Sequence, residues 1–123
     1  MASRALVEGD IERGRKAYDA LSKAETSIRP KIAFWRYNPE STDWKFTVAV
    51  PAFTTDGPLR AYTLVDRVFR KSHIDLPLWR VSVLSTEDSL ARWARDRVKH
   101  AQRDVVDDSV LDGAYIYKSS RSA

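Results

Sequence analysis

Four basic residues in the C-terminal half of the chain recur at helical spacing and are suited to binding phosphate groups. They are Arg92, Arg95, Lys99 and Arg103. Residues three or four positions apart share one face of a helix, so the segment predicts a continuous cationic row beside apolar Trp93 and Val98. Asp96 and Asp104 lie next to this row. The alternative interpretation is therefore a solvated helix face with local ion pairs.

A second, looser basic row is predicted on the preceding helix. It comprises Arg60, Arg67 and Lys71. If both helices pack on one side of the sheet, the two rows form a groove that suits a nucleic-acid backbone or an acidic protein surface. If the helices pack on opposite sides, no such groove forms. These seven basic residues are the candidate binding residues of the sequence.

One tripeptide superficially resembles the acidic and lysine motif of a metal-dependent nuclease. Asp43 and Lys45 flank a tryptophan, and Glu40 precedes them. Two-metal catalysis needs a further ligand from a separate segment, and Glu40 is too close in sequence to supply it. The alternative is the polar tip of a hairpin, which we favour.

The other polar residues lack the spacing of a metal or catalytic site. His73 and His100 do not form an H-x-x-x-H pair, and the chain has no cysteine. An acidic segment lacks the glycine and the terminal glutamate of a calcium loop. Its carboxylates are Asp104, Asp107, Asp108 and Asp112. We therefore expect no metal, no cofactor and no enzymatic activity.

Aromatic residues alternate along two adjacent predicted strands. They are Trp35, Tyr37, Trp44 and Phe46, with Lys31, Arg36 and Lys45 among them. Aromatics on a sheet stack on single-stranded bases in some nucleic-acid-binding domains. The pleat requires at least two of the four to face inward, and packing in the core is the interpretation we favour.

The composition predicts one soluble domain. The chain has 123 residues, of which 43% are apolar, and its formal net charge is +4. This length and apolar content suffice for one hydrophobic core, while the small basic excess leans only mildly toward acidic partners. No run approaches the roughly 18 apolar residues of a membrane helix. We expect a cytoplasmic protein with a frayed tail at residues 119–123.

Periodicity and turn residues predict the order α-β-β-α-β-α-β. The first helix carries an apolar stripe from Val7 to Leu21 and spans about five turns. The segments "KIAFWRY" and "WKFTVAVP" form a hairpin, which Pro51 closes. The next helix begins near "TTDGPLR", with Thr55 or Asp56 as its cap and Pro58 in its first turn.

The C-terminal half completes the predicted sheet. "WRVSVLS" forms a strand with Trp79 in its alternating pattern, Ser85 and Asp88 form a capping box, and a helix runs from about Thr86 to Arg103. "DVVDDSVLDG" is predicted as a loop and "AYIYK" as the last strand. The class is α+β or α/β, with a mixed four-stranded sheet and packed helices. The two late strands each follow a helix, which permits parallel pairing.

Two of these segments, "RVSVLSTEDSLARWAR" and "DGAYIYK", resemble small bacterial single-domain α/β proteins of unassigned function. The resemblance covers most of the chain and rests on strand and cap residues. It implies a single bacterial cytoplasmic domain and assigns no catalytic residue.

The absence of a catalytic constellation favours a non-enzymatic interaction or accessory domain that binds a protein partner or self-associates. The alternative is a nucleic-acid-binding domain that uses the basic helix face. The orientation of the two basic helices distinguishes these hypotheses.

Overall fold

The sequence folds into helices packed on both faces of a mixed β-sheet, which makes it an α+β protein as predicted. The computed structural model describes residues 6–38, 40, 43–107 and 113–118. Its helices in these ranges are α1 (Glu8–Ser22), α2 (Pro51–Asp56), α3 (Pro58–Lys71) and α4 (Ser89–Val98). Its strands there are β1 (Ile32–Asn38), β2 (Asp43–Ala49), β3 (Val81–Leu84), β4 (Val105–Asp107) and β5 (Ala114–Ile116). The expected tail at 119–123 lies outside the described residues.

The strands lie in the order β3-β2-β1-β5-β4. β1 and β2 form the predicted antiparallel hairpin, paired from Ile32 opposite Ala49 to Asn38 opposite Asp43. β3 is parallel to β2, because α2 and α3 carry the chain back along the sheet before it starts. β5 lies antiparallel between β1 and β4. The sheet is therefore mixed, with β1 at its centre.

The prediction of four strands in the order α-β-β-α-β-α-β was wrong in two places. β4 occupies part of the segment predicted as an acidic loop. α2 is an additional helix that begins at Pro51, where only the end of a strand was expected. β4 forms because Asp104, just before it, is held by Arg15 and by the amide of Lys118, which aligns it with β5. Parallel pairing was predicted as permitted for the two late strands, which are β3 and β5. Only β3 is parallel to its neighbour, and β5 is antiparallel to both of its neighbours.

Alternate residues of β1 enter two separate cores. Ala33 and Trp35 pack in the core formed with α1, α2 and α3, and Ile32 and Phe34 pack in the core formed with α4. Successive side chains of a strand point to opposite faces of its sheet. α4 therefore covers one face of the sheet, and the other three helices cover the opposite face.

Helix boundaries differ from the prediction at three points. α1 has 15 residues, which is about four turns and not five. Gly57 precedes α3 in place of the expected caps Thr55 and Asp56, and its φ of 90° favours glycine. α4 has 10 residues and does not extend to Arg103. Tertiary contacts around Asp104 redirect the chain before the predicted end of that helix.

The third strand begins two residues later than the prediction placed it. Leu78–Arg80 form a 3-10 turn, and the regular alternation starts at Val81. Trp79 is consequently 63% exposed and does not enter the core. Arg80 turns toward α1 and donates hydrogen bonds of 3.2 and 3.1 Å to the carboxylate of Asp10. This bidentate pair holds the start of β3 against α1.

Close contact between α1 and the sheet requires a glycine at position 14. The hydroxyl of Tyr117 donates to the carbonyl of Ile11 and accepts a hydrogen bond of 2.9 Å from Nε1 of Trp35. A Cβ atom at Gly14 would lie 2.6 Å from that Nε1 and closer still to the Tyr117 hydroxyl. A side chain at this position is therefore incompatible with the present packing.

Asp104 joins α1 to both C-terminal strands. Its carboxylate accepts hydrogen bonds from Arg15 at 2.8 Å, from the amide of Lys118 at 2.8 Å and from the hydroxyl of Tyr115 at 2.9 Å. The guanidinium of Arg15 also lies over the ring of Tyr117, 4.9 Å from its centroid. Both carboxylate oxygens of Asp104 therefore accept hydrogen bonds, and the guanidinium of Arg15 contacts both a carboxylate and an aromatic ring.

This cluster predicts a loss of stability at alkaline pH. Burial, and then the hydrogen bond to Asp104, raise the pKa of Tyr115 from its ordinary value of 10.0 to about 12, and burial also raises the pKa of Tyr117. The contribution to stability is complete below about pH 10 and is lost as the pH rises toward about 12, because the unfolded chain releases these protons first. The free energy of unfolding in urea, measured across this window, should fall more steeply for the wild type than for Tyr115→Phe. Equal pH dependence in both proteins would contradict the assignment.

The outer edge of β3 is closed by hydrogen bonds. The amide of Val83 donates to the hydroxyl of Tyr62 at 3.0 Å, and the amide of Val81 donates to the carbonyl of Leu78. An edge strand with free amides is a template for pairing with another chain. These two amides are not available for that purpose.

Candidate functional site

α4 is the helix that positions the basic row. Asp88 caps it, with Oδ1 accepting a hydrogen bond of 2.8 Å from the amide of Leu90. The helix therefore begins at Ser89, three residues after the predicted start at about Thr86, and Asp88 is its cap in place of Ser85. Ser85 accepts from the amide of Glu87 at 3.1 Å and shapes the turn before the cap. The turn and the cap together fix the direction in which α4 leaves the end of β3.

The side of α4 that faces the sheet consists of Ala91, Ala94 and Val98, which are buried with Ile32 and Phe34. The two alanines have short side chains that permit a close approach of helix and sheet. Each of the three is followed directly by a basic residue, namely Arg92, Arg95 and Lys99. One residue turns a helix by about 100°. The basic row therefore lies along the flank where α4 meets the sheet.

This flank and the start of β1 border an open depression of about 390 Å³, which we call the α4 pocket. Lys31 joins the three basic residues of α4 around it, and Ile32 and Val98 supply its apolar wall. The amide of Lys31 donates to the carbonyl of Ala49 at 2.8 Å, which fixes Lys31 directly before the first residue of β1. Asp96 is the only carboxylate among its lining residues in the described chain. Four positive and one negative side chain leave an excess of three positive charges.

The cations of the α4 pocket form no ion pair within the described ranges, in contrast to four other arginines of the protein. Arg13, Arg15, Arg70 and Arg80 each form an ion pair with an aspartate. Among the residues that the structure describes, the side chains of the pocket cations form no ion pair or hydrogen bond; these cations are Lys31, Arg92, Arg95 and Lys99. The expected alternative was a solvated face with local ion pairs; Arg92, Arg95 and Lys99 are solvent-exposed, as it expects, but the ion pairs are absent from this flank in the described part of the chain.

The opposite flank of α4 has a different character. Trp93 packs edge-on against Phe34, with ring centroids 6.5 Å apart, and the guanidinium of Arg97 lies 5.8 Å from the centroid of Trp93. The aromatic ring is half-buried and completes the smaller core. The two flanks thus separate an aromatic contact with the sheet from the cationic pocket.

Arg103 does not belong to the pocket. It was expected to continue the row by one more turn, but α4 ends at Val98 and Arg103 is exposed beyond it. The amine of Lys118 lies 3.4 Å from the carbonyl oxygens of Val98 and Lys99 at this end of the helix. A cation at a helix C-terminus compensates the carbonyls that lack partners in the helix.

The second basic row lies on the other side of the sheet. α3 buries Ala61, Leu64 and Val65 in the core that contains Trp35, whereas α4 packs against the opposite face. The candidate residues on α3 are Arg60, Arg67 and Lys71. The single groove that both rows would form on one face does not exist. The condition for a shared groove is not met, because the two helices pack on opposite faces of β1.

Lys31 is the member of the pocket that the basic rows did not include. It lies 61 positions before Arg92 in the chain and precedes a strand, so helical spacing cannot reveal it. Its position depends on the pairing of Ile32 with Ala49 and on the path of α4 across that end of the sheet. Only the strand order could have indicated it.

The alternating aromatics of the hairpin are core residues. Trp35, Tyr37 and Phe46 are buried, and Trp44 is half-buried on the same face of the sheet. Tyr37 and Trp44 pack with ring centroids 5.5 Å apart. Base stacking on these strands is therefore excluded, and the interpretation as core packing is confirmed.

The nuclease-like tripeptide has a structural role. The amine of Lys45 donates a hydrogen bond of 2.6 Å to the carbonyl of Trp79, next to the edge strand.

The remaining polar candidates are His73 and the acidic segment. His73 adopts a φ of 56° at the end of α3, where a left-handed residue closes a helix. Asp108 and Asp112 of the acidic segment, and the side chain of Asp107, lie outside the described residues.

Neither a metal-binding group among the described residues nor a related protein indicates a function for the chain. The described residues hold no group of three or more histidines and carboxylates placed to bind a metal ion. In the same ranges, none of the helices has the length and apolar character needed to cross a membrane. No protein-family model, curated protein or solved structure matches the chain.

Proposed function

We propose that the protein binds a nucleic acid through its phosphate backbone, with the α4 pocket as the contact site. The observation that carries the proposal is the row of four unpaired cations around one open depression. Unpaired arginines and lysines bind phosphate oxygens and release the counterions that surround a nucleic acid. Arginine adds planar, bidentate hydrogen bonding to phosphate.

The arrangement favours binding without chemistry and without base readout. Lys31, Arg92, Arg95 and Lys99 supply donors and positive charge, and the single carboxylate of Asp96 has no second catalytic group beside it among the described lining residues. Contacts to phosphate position a protein on nucleic acid and carry no direct sequence information. We therefore propose binding of modest sequence preference that weakens strongly with salt.

Alanine substitutions in the pocket test this proposal. Each of Arg92→Ala, Arg95→Ala and Lys99→Ala should lower the slope of log K against log salt by about 0.7 for a single strand or about 0.9 for a duplex. The triple variant should bind about tenfold more weakly or worse at low salt. Fluorescence anisotropy with labelled random-sequence oligonucleotides, single-stranded and duplex, at several salt concentrations measures both quantities.

Two matched variants control for the loss of charge alone. Arg97→Ala removes one cation from the opposite flank of the same helix, and Arg60→Ala removes one from the opposite face of the sheet. Both should change the affinity by less than about twofold. Equal losses for pocket and control variants would show a diffuse charge effect and reject the pocket. The absence of salt-sensitive binding by the wild type would reject a nucleic-acid role.

The expected protein-interaction or self-associating domain stays a prediction. If the α4 pocket binds a nucleic acid, the outer surfaces of α1 and α3, on the opposite side of the sheet, stay available for a protein partner. The two hypotheses are compatible because they concern opposite sides of the sheet.

A further inference from the structure

A second depression of about 380 Å³ lies between the C-terminal ends of α1 and α3. Its apolar lining comes from Ala20 on α1, Val68 on α3, and Ala24 and Ile28 in the segment after α1. Ile28 belongs to the main core, so the bottom of this cleft is an opening onto that core. We call it the α1/α3 cleft, and it faces away from the α4 pocket.

The rim of the α1/α3 cleft is positively charged. Lys23 contributes from the end of α1, Arg67 and Lys71 contribute from α3, and Glu25 is the only carboxylate among the described lining residues. Arg70, also on α3 but outside the cleft, is paired with Asp66 at 2.9 Å. The three rim cations form no ion pair within the described ranges.

Helix dipoles explain only part of this charge. A cation in the last turn of a helix is stabilised by the negative end of the macrodipole, which accounts for Lys23 and Lys71. Arg67 lies one turn earlier on α3 and gains little from that effect. Its exposed, unpaired guanidinium beside an apolar opening matches a ligand that carries both negative charge and apolar groups.

We propose that the α1/α3 cleft docks an acidic segment of a partner protein, which inserts apolar side chains onto Ile28 and Val68 while its carboxylates meet the basic rim. Charge complementarity selects acidic residues, and the apolar lining selects aliphatic or aromatic side chains between them. The cleft lies between two helix ends, which suits an amphipathic helix lying across them. This inference does not depend on nucleic-acid binding by α4.

A synthetic amphipathic peptide tests the proposal on the intact chain. The probe is a fluorescein-labelled helical peptide with leucines at i, i+3, i+4 and i+7 and glutamates on the flanks. We expect saturable binding with a dissociation constant of about 10 to 100 μM at low salt. Arg67→Glu with Lys71→Glu should weaken it at least about tenfold, whereas Arg60→Glu on the same helix should leave it unchanged.

Cleft-filling variants separate docking from charge attraction. Ala24→Leu and Ala20→Leu, made separately and checked for an intact fold by amide NMR spectra, fill the opening without changing its charge. At least one should weaken peptide binding about tenfold. The proposal would be overturned if both variants bound the peptide as tightly as the wild type, or if a peptide with serines in place of the leucines bound equally well. It would also be overturned if the wild type bound no peptide at about 1 mM. Decanoate, a small apolar anion, is the last probe: its binding at these residues without binding of the peptide would likewise overturn the proposal.

Discussion

Gly14→Ala should destabilise the protein by about 3 to 5 kcal/mol, the largest effect expected from a single added methyl group here. The new Cβ would lie 2.6 Å from Nε1 of Trp35 and closer still to the hydroxyl of Tyr117. Relieving the overlap requires α1 to move away from the sheet. That movement breaks the hydrogen bond from Tyr117 to Ile11 and leaves buried polar groups without partners.

A second glycine of the same helix is the control. A Cβ at Gly9 would meet only the guanidinium of Arg13, at 3.2 Å, and that flexible side chain can move. Gly9→Ala should therefore stabilise α1 by about 0.5 to 1 kcal/mol through helix propensity. Urea unfolding of both variants measures the difference. Effects of the same sign and size would mean that Gly14 is not in close contact with the sheet.

Trp35→Ala should cost about 3 to 5 kcal/mol. The indole is fully buried in the centre of the sheet, packs on Phe46 with ring centroids 5.4 Å apart, and donates its N–H to Tyr117. The guanidinium of Arg80 also lies 5.1 Å from its centroid. Truncation leaves a cavity, removes both ring contacts and deprives the Tyr117 hydroxyl of a donor.

The same substitution at Trp79 should cost less than about 1 kcal/mol. This indole is mostly exposed, and its hydrogen bond with Lys45 uses the backbone carbonyl, which alanine retains. Thermal unfolding monitored by circular dichroism should give a decrease in Tm of about 10 °C or more for Trp35→Ala and a small change for Trp79→Ala. A large decrease for Trp79→Ala would contradict the exposed placement of that side chain.

The local features of α4 could be predicted from the sequence because they depend on neighbours three or four positions away. The helical spacing of Trp93, Ala94 and Val98 predicts an apolar face. The capping box of Ser85 and Asp88 predicts a start near Thr86, three residues before the observed one at Ser89. The basic row follows from the same periodicity. Both the helix and most of its cationic flank were therefore accessible without a structure.

The composition of the site could not be predicted, because it depends on strand order. Lys31 reaches the α4 pocket only through the pairing of β1 with β2 and the path of α4 across their ends. The separation of the two basic rows likewise depends on which face of β1 each helix covers. β4 was missed since three residues with one aspartate carry no clear alternation, and contacts of Asp104 place it.

Two proposed binding surfaces on opposite sides of one sheet give the domain the geometry of a connector. The α4 pocket presents cations beside a small core of its own, and the α1/α3 cleft opens onto the larger core. Their rims share no residue. Substitutions in one surface are therefore expected to leave binding at the other unchanged.

The position of β5 has a consequence for synthesis of the chain on the ribosome. The second neighbour of β1 in the sheet, at residues 114–116, is made about 80 residues after β1 itself. Until then Phe34 and Trp35 lack part of their packing and one edge of β1 has no partner. Such a nascent chain exposes an apolar strand that other chains or chaperones can bind. The sheet is therefore completed only after residue 116 has been made, and slower elongation before residue 114 would prolong the period in which β1 is exposed to aggregation.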